Sequence, residues 1–140
     1  MGFPLYVDTS AVLRIVLESG TSPAVEARIQ SAPVLVTSRL ALVESSRALV
    51  RLRALGIASE AQLADASRAL DDIWARCELW EMDRSVCDLA RVVAPGTSLR
   101  TLDALHLATF QLARQRLDGL ELLTVDDRLR AAAGVAPGTL

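Results

Sequence analysis

Four carboxylates interrupt apolar stretches of this sequence: Asp8 in "PLYVD", Glu44 in "LALVESS", Asp103 in "RTLDALHLATF" and Asp126 in "LLTVDD". Burying an unpaired carboxylate costs several kcal/mol, on the order of the penalties measured for buried charges. Four of them converging on one site would repel each other and tend to keep their protons. A divalent cation removes that conflict. Magnesium or manganese takes hard oxygen ligands, polarises phosphoryl oxygens and activates water. The chemistry these residue types suggest is metal-assisted phosphodiester hydrolysis. Other acids, such as Glu60, Asp65, Asp71, Asp72 and Glu81, lie in polar stretches and read as solvated surface.

A purely structural account competes with this one. Asp8 and Asp126 can cap the helices that follow them. Asp103 can pair with Arg100 or Arg114, and Glu44 with Arg47 or Arg51 on its own helix. His106 lies three residues after Asp103. A neutral imidazole bonded to a nearby polar group suits it better than metal ligation. Asp127 can replace or assist Asp126, although the residue closing the strand is better placed. The hydroxyls of Thr9, Ser10 and Thr124 stand beside these acids, ready to position water or to satisfy backbone groups.

These residues need elements to hold them. "PLYVD" reads as a short buried strand, followed by a helix over "TSAVLRIVLES". "TSPAVEARIQS" opens a second helix, with Ser22 as cap and Pro23 at its first position. "PVLVTS" is the next strand. "SRLALVESSRALVRLRALG" is a long helix ended by Gly56, and "SEAQLADASRALDDIWARC" a helix capped by Ser59. "ELWEMD" reads as a strand and "RSVCDLARVVA" as a helix stopped by Pro95-Gly96. "SLRTLDALHLATFQLARQR" is another helix, "LELLTVD" the last strand and "DDRLRAAAG" the last helix. Alternating strands and helices predict an α/β fold, a central parallel sheet of four to five strands flanked by helices. In such folds ligands bind at the carboxyl ends of the strands, where Asp8 and Asp126 fall.

The chain has 140 residues, and we expect one domain over 1–140. It is 51% hydrophobic and 23% charged, which argues against disorder. No apolar run approaches the ~18–20 residues of a membrane span, so no membrane association is expected. "MGFPLYVDTSAVL" lacks a basic leader and carries Asp8, so it does not read as a signal peptide. Cys77 and Cys87 match no zinc spacing and read as reduced core residues, which points to the cytoplasm. Every basic side chain besides His106 is arginine. With no lysine, P-loop phosphate binding and Schiff-base chemistry are excluded. The net charge of −2 does not mark a nucleic-acid binder, so such a partner must be held by local patches or through metal ions.

The segments "YVDTSAVL", "SRLALVESSRAL", "LRTLDALHLATF" and "LLTVDDRLRAAA" occur in the order and spacing of a PIN domain, and over essentially its full length the chain resembles the VapC toxins of bacterial toxin–antitoxin pairs. The resemblance implies an endoribonuclease dependent on Mg²⁺, with Mn²⁺ as a substitute, that leaves a 5′-phosphate and a 3′-hydroxyl. It makes Asp8, Glu44, Asp103 and Asp126 the metal-binding catalytic acids, with Ser10 and Thr124 as supporting hydroxyls. It also implies a homodimer and an inhibitory VapB-type antitoxin.

RNA must still be held. Arg14, Arg39, Arg47, Arg51, Arg100 and Arg128 lie near the acids in sequence, and arginine forks two donors onto phosphate. Arg100, three residues before Asp103, is the expected substrate-binding residue. An aspartate-nucleophile phosphatase of the haloacid-dehalogenase type fits less well, because Ser10 stands where a second Asp belongs and lysine is absent. A receiver domain fails on the same missing lysine. A catalytically inactive PIN module that binds RNA or protein is the alternative.

Overall fold

Strand β1 (Leu5–Val7) is the centre of the molecule, and its three side chains are buried on both faces. The structure, a computed structural model, describes residues 2–134. From β1 the chain runs through helices α1 (Thr9–Leu17) and α2 (Pro23–Ser31) to β2 (Leu35–Ser38). Helices α3 (Arg39–Leu55) and α4 (Glu60–Ala75) lead to β3 (Cys77–Trp80). Helices α5 (Arg84–Ala90) and α6 (Thr101–Arg116) precede β4 (Glu121–Leu123), and α7 (Asp127–Ala132) follows it. The strands form one parallel sheet in the order β3-β2-β1-β4. This is the α/β architecture expected from the alternating pattern.

Period-two alternation splits the core into two layers. Leu5 and Val7 face one side and pack with Val12, Ile29, Leu35, Leu70 and Trp74 of the α1–α4 layer. Tyr6 faces the other, with Val36, Leu107, Phe110, Leu122 and Leu129. Sheet order sets the site. After β1 the chain moves to one side to form β2, whereas β4 pairs with the opposite edge of β1, matching Val7 with Leu123. Such a divergence opens a crevice beyond the carboxyl ends of the strands.

Several boundaries differ from the sequence reading. The strand expected over 78–83 is Cys77–Trp80: Cys77 joins the ladder opposite Leu35, and Asp83 turns away to cap α5. The helix expected over 84–94 ends at Ala90, because Ala94 and Gly96 take left-handed backbone at φ 50° and 84°. Helix α6 begins at Thr101 rather than near 98, with Arg100 at its cap position. Cys77 packs against the core, but Cys87 is exposed, so the reading of Cys87 as a core residue is corrected. It lies on the short α5, whose one buried residue is Val86.

Candidate active site

Asp8 directly follows β1, and Asp126 lies three residues beyond β4, because the strand expected to close at Asp126 ends at Leu123; both are helix caps that line the cleft. Asp8 follows β1 and caps α1, its Oδ1 accepting the Ala11 N–H at 3.2 Å. The Ser10 hydroxyl donates to Oδ1 and Oδ2 of Asp8 at 2.8 and 3.0 Å. That Oγ also accepts the Val125 N–H at 3.3 Å and lies 3.2 Å from the Thr124 hydroxyl. Thr124 Oγ1 accepts the Asp126 N–H at 2.9 Å. Asp126 in turn caps α7, its Oδ1 accepting from the N–H groups of Arg128 and Leu129 at 2.8 and 3.1 Å. Ser10 and Thr124 thus stitch the segment after β1 to the segment after β4. Asp127 lines only one of the two lobes of the cleft, with a side chain 94% exposed and paired to Arg130 at 3.0 Å, whereas Asp126 lines both.

Glu44 is held from the other side of the crevice. It sits in the second turn of α3, which Ser38 caps at the end of β2 through the Leu40 N–H. Its partners are neither Arg47 nor Arg51. Thr9 Oγ1 donates to Glu44 Oε1 at 2.6 Å, and His106 Nε2 lies 2.6 Å from the same oxygen. His106 Nδ1 is 2.7 Å from the buried Tyr6 hydroxyl. Both ring nitrogens are therefore engaged, as expected of an imidazole bonded to polar neighbours rather than a metal ligand. Burial alone raises the Glu44 carboxyl, but the His106 hydrogen bond and charge and the Thr9 hydroxyl outweigh it and hold the group below the usual carboxylate range. Tyr6 was legible only as a buried strand residue. A buried tyrosine needs partners for its hydroxyl, and the single histidine is one of them, beside Thr37 and Thr109.

Asp103 differs from the rest. It lies in the first turn of α6, where the helix dipole favours a negative charge, and makes no hydrogen bond or ion pair among the described residues. Burial and then the nearby charges of Asp126 and Glu44 push its carboxyl up, while His106 and Arg100 act against that. Burial likewise pushes Asp8 up, opposed by His106, Ser10 and the Ala11 N–H. Asp8, Glu44, Asp103 and Asp126 all line one cleft of about 520 Å³. A second lobe of about 740 Å³ shares Glu44, Asp103 and Asp126. Arg47 and Arg51 line the first lobe, and Arg100 and Arg128 the second. None of these four arginines makes an ion pair among the described residues, whereas Arg14 is paired to Glu18 and Arg39 to Glu81.

The donor set suits a hard divalent cation in kind: oxygens only, with Asp103 raised by neighbouring carboxylates and lacking a protein partner. It is not a preformed cage, since among the described residues no group of three or more His, Cys, Asp or Glu side chains stands ready to hold a metal. Asp8 and Glu44 are anchored separately, Asp8 by Ser10 and the Ala11 N–H and Glu44 by Thr9 and His106. A dedicated zinc site gains no support from the cysteines; burial pushes the Cys77 thiol up to about 12.

A parallel α/β domain with an acidic cleft at its strand ends defines the class, and the comparisons agree. Residues 5–135 match the PIN domain family. Ribonuclease VapC46 of Mycobacterium tuberculosis is 36% identical over 129 residues, covering 92% of this chain and 89% of that protein. Ribonuclease VapC35 of the same species is 32% identical over 142 residues, covering 96% and 97%. Among solved structures, PAE2754 from Pyrobaculum aerophilum superimposes with a TM-score of 0.67 at 25% identity, covering 96% of this chain and 82% of that one. A toxin–antitoxin complex from Klebsiella pneumoniae contains a chain of the same fold, with a TM-score of 0.64 at 20% identity over 94% and 95%. The chain belongs to the PIN domain family, and VapC ribonucleases are among its relatives.

Proposed function

We propose that this chain is a Mg²⁺- or Mn²⁺-dependent endoribonuclease toxin of a toxin–antitoxin pair, acting in the cytoplasm as one domain over residues 1–140. The observation that carries the proposal is the convergence of Asp8, Glu44, Asp103 and Asp126 on one cleft at the carboxyl ends of β1 and β4. Relatives named as ribonucleases supply the substrate class. Asp8, Glu44, Asp103 and Asp126 would hold the divalent cation, which would supply charge neutralisation and Lewis acidity there. The chain's own residues hold what surrounds it. Ser10 orients the Asp8 carboxylate, and Thr124 fixes the backbone that presents Asp126. Asp103 offers oxygens with no competing protein donor. Arg100, which lines the second lobe with Asp103 and Asp126, binds a substrate phosphate. Hydrolysis leaves a 5′-phosphate and a 3′-hydroxyl.

The toxin reading brings two partners, a second copy of the chain in a homodimer and a VapB-type antitoxin that inhibits it. The acidic cleft is bordered by the apolar side chains of Leu13, Leu40, Val43 and Leu102. An amphipathic antitoxin helix fits such a groove, with an arginine directed at the acids.

The test is RNA cleavage by the purified chain, with the new ends mapped. Mg²⁺ should support cleavage, EDTA should stop it, and Asp103→Asn should abolish it while the fold persists. Cleavage by Asp103→Asn at the wild-type rate would overturn the assignment. RNA binding by the wild type without cleavage would instead mark an inactive binding module.

A further inference from the structure

We infer that Tyr6 and His106 form a buried tether that positions the Glu44 carboxylate, presenting one of its oxygens to the cleft. The inference rests on the reading of Glu44 as a site residue. Asp8 and Asp126 are fixed by the starts of their own helices. Glu44 has no such local anchor, since it lies within α3 on a long side chain. Its anchors come from across the fold. The chain Tyr6 Oη, His106 Nδ1, His106 Nε2, Glu44 Oε1 runs through contacts of 2.7 and 2.6 Å. Thr9 adds its hydroxyl to the same Oε1 at 2.6 Å. Nothing among the described residues bonds Oε2.

The direction of the bond to Glu44 follows from the chemistry of the groups. An ionised carboxylate only accepts, so Nε2 carries a proton and donates it to Glu44. The second ring nitrogen, Nδ1, is bonded to the Tyr6 hydroxyl at 2.7 Å, and the two bonds together fix the ring orientation. Packing holds the tyrosine still: the Tyr6 ring meets the His106 ring edge-on at 5.9 Å and Phe110 at 6.0 Å. Tyr6 and His106 are 0% and 2% exposed, packed against Val36, Leu107 and Phe110 with the buried Thr37 and Thr109 beside the Tyr6 hydroxyl. Replacing buried polar pairs by hydrophobic residues of similar volume is often neutral or stabilising. A polar chain that ends on a carboxylate at the cleft is accounted for by holding that carboxylate.

The experiment uses the full-length chain, stripped of metal, and Mn²⁺ alone as the probe. His106 is the sole histidine, so its ring nitrogens give a single set of resonances. Those resonances should show a protonated Nε2 donating to Glu44 and an Nδ1 hydrogen-bonded to Tyr6. Calorimetric Mn²⁺ titration should show His106→Leu weakened by about 10–100-fold, the usual effect of removing a group that orients a metal ligand. His106→Gln, whose amide can still donate to Glu44, should recover most of that loss, which a merely space-filling histidine would not produce. Tyr6→Phe removes one oxygen and serves where His106→Leu does not fold; it should weaken Mn²⁺ binding several-fold and move the Nδ1 resonance. Unaltered Mn²⁺ affinity in the folded His106 or Tyr6 variants, with Glu44→Gln weakened, overturns the tether and leaves the metal-site reading standing. A wild-type protein that binds no Mn²⁺ removes both.

Discussion

Asp103 and Glu44 face the same cleft with opposite electrostatic histories. Asp103 is raised by burial and by the charges of Asp126 and Glu44, whereas Glu44 is drawn down by His106 and Thr9 in spite of its burial. The two therefore act on stability with opposite sign. For Asp103, and for Asp8, which burial also raises, stability is fully present below the ordinary carboxylate range and is lost as pH rises through the folded value. For Glu44 it is present above the ordinary carboxylate value and is lost as pH falls through the depressed one. Without a cation, Asp103 is a net cost at neutral pH. Asp103→Asn should accordingly raise the melting temperature in EDTA by roughly 1–3 °C, a fraction of a kcal/mol for a partly exposed group. The gain should shrink as pH falls through the carboxylate range, and Mg²⁺ should reverse the order of the two proteins. Thermal melts across pH with and without Mg²⁺ check this, and a lower melting temperature for the variant in EDTA at neutral pH contradicts it.

At the scale of elements, the caps tie the acids to the helices they start. Asp126 Oδ1 accepts two N–H groups of α7, and an asparagine oxygen can accept the same pair. Asp126→Ala should therefore cost about 1 kcal/mol in a urea melt, and Asp126→Asn much less. Both should lose cleavage alike, because both remove the charge. Equal stability of the two variants would show that the cap contributes nothing. Asp8 and Asp126 cap helices and also line the cleft, so the capping and site readings that the sequence offered are not exclusive. The strands and helices were legible because their periodicity is local, and Ser59, Gly56 and Pro23 stand at the ends where capping places them. The end of α5 was less legible, since the left-handed Ala94 that follows it is a conformation non-glycine residues rarely adopt. The acids themselves were visible as charges in apolar runs. Their partners were not. Glu44 and His106 are 62 residues apart, and Tyr6 and His106 are 100 apart. No local pattern links such pairs; the pairing of β1 with β2, which α3 follows, and the packing of α6 against the sheet bring them together.

For the whole molecule, the proposed RNA substrate has to be reconciled with a net charge of −2, and the distribution of that charge bears on it. Arg14, Arg39, Arg53 and Arg68 are neutralised on the outer surface by Glu18, Glu81, Glu60 and Asp65. Arg47, Arg51, Arg100 and Arg128 line the two lobes of the cleft and make no ion pair among the described residues. Positive charge is thus left available on either side of the acids, where a strand of RNA would place its flanking phosphates. Each phosphate neutralised releases condensed counterions, so the salt dependence of affinity counts the contacts. In a non-cleaving Asp103→Asn background, Arg100→Ala should reduce the salt slope of RNA affinity by roughly 0.7, the value for one phosphate contact on a single strand. Arg47→Ala, Arg51→Ala and Arg128→Ala should each act in the same direction. Arg14→Ala and Arg39→Ala should leave the slope unchanged, because their guanidinium groups already serve Glu18 and Glu81. Fluorescence anisotropy with a labelled single-stranded RNA across salt concentrations measures this. If Arg39→Ala lowers the slope as much as Arg100→Ala does, the RNA runs along the outer surface and not through the cleft. If Arg100→Ala leaves the slope intact but weakens Mg²⁺ binding, Arg100 acts on Asp103 and not on substrate.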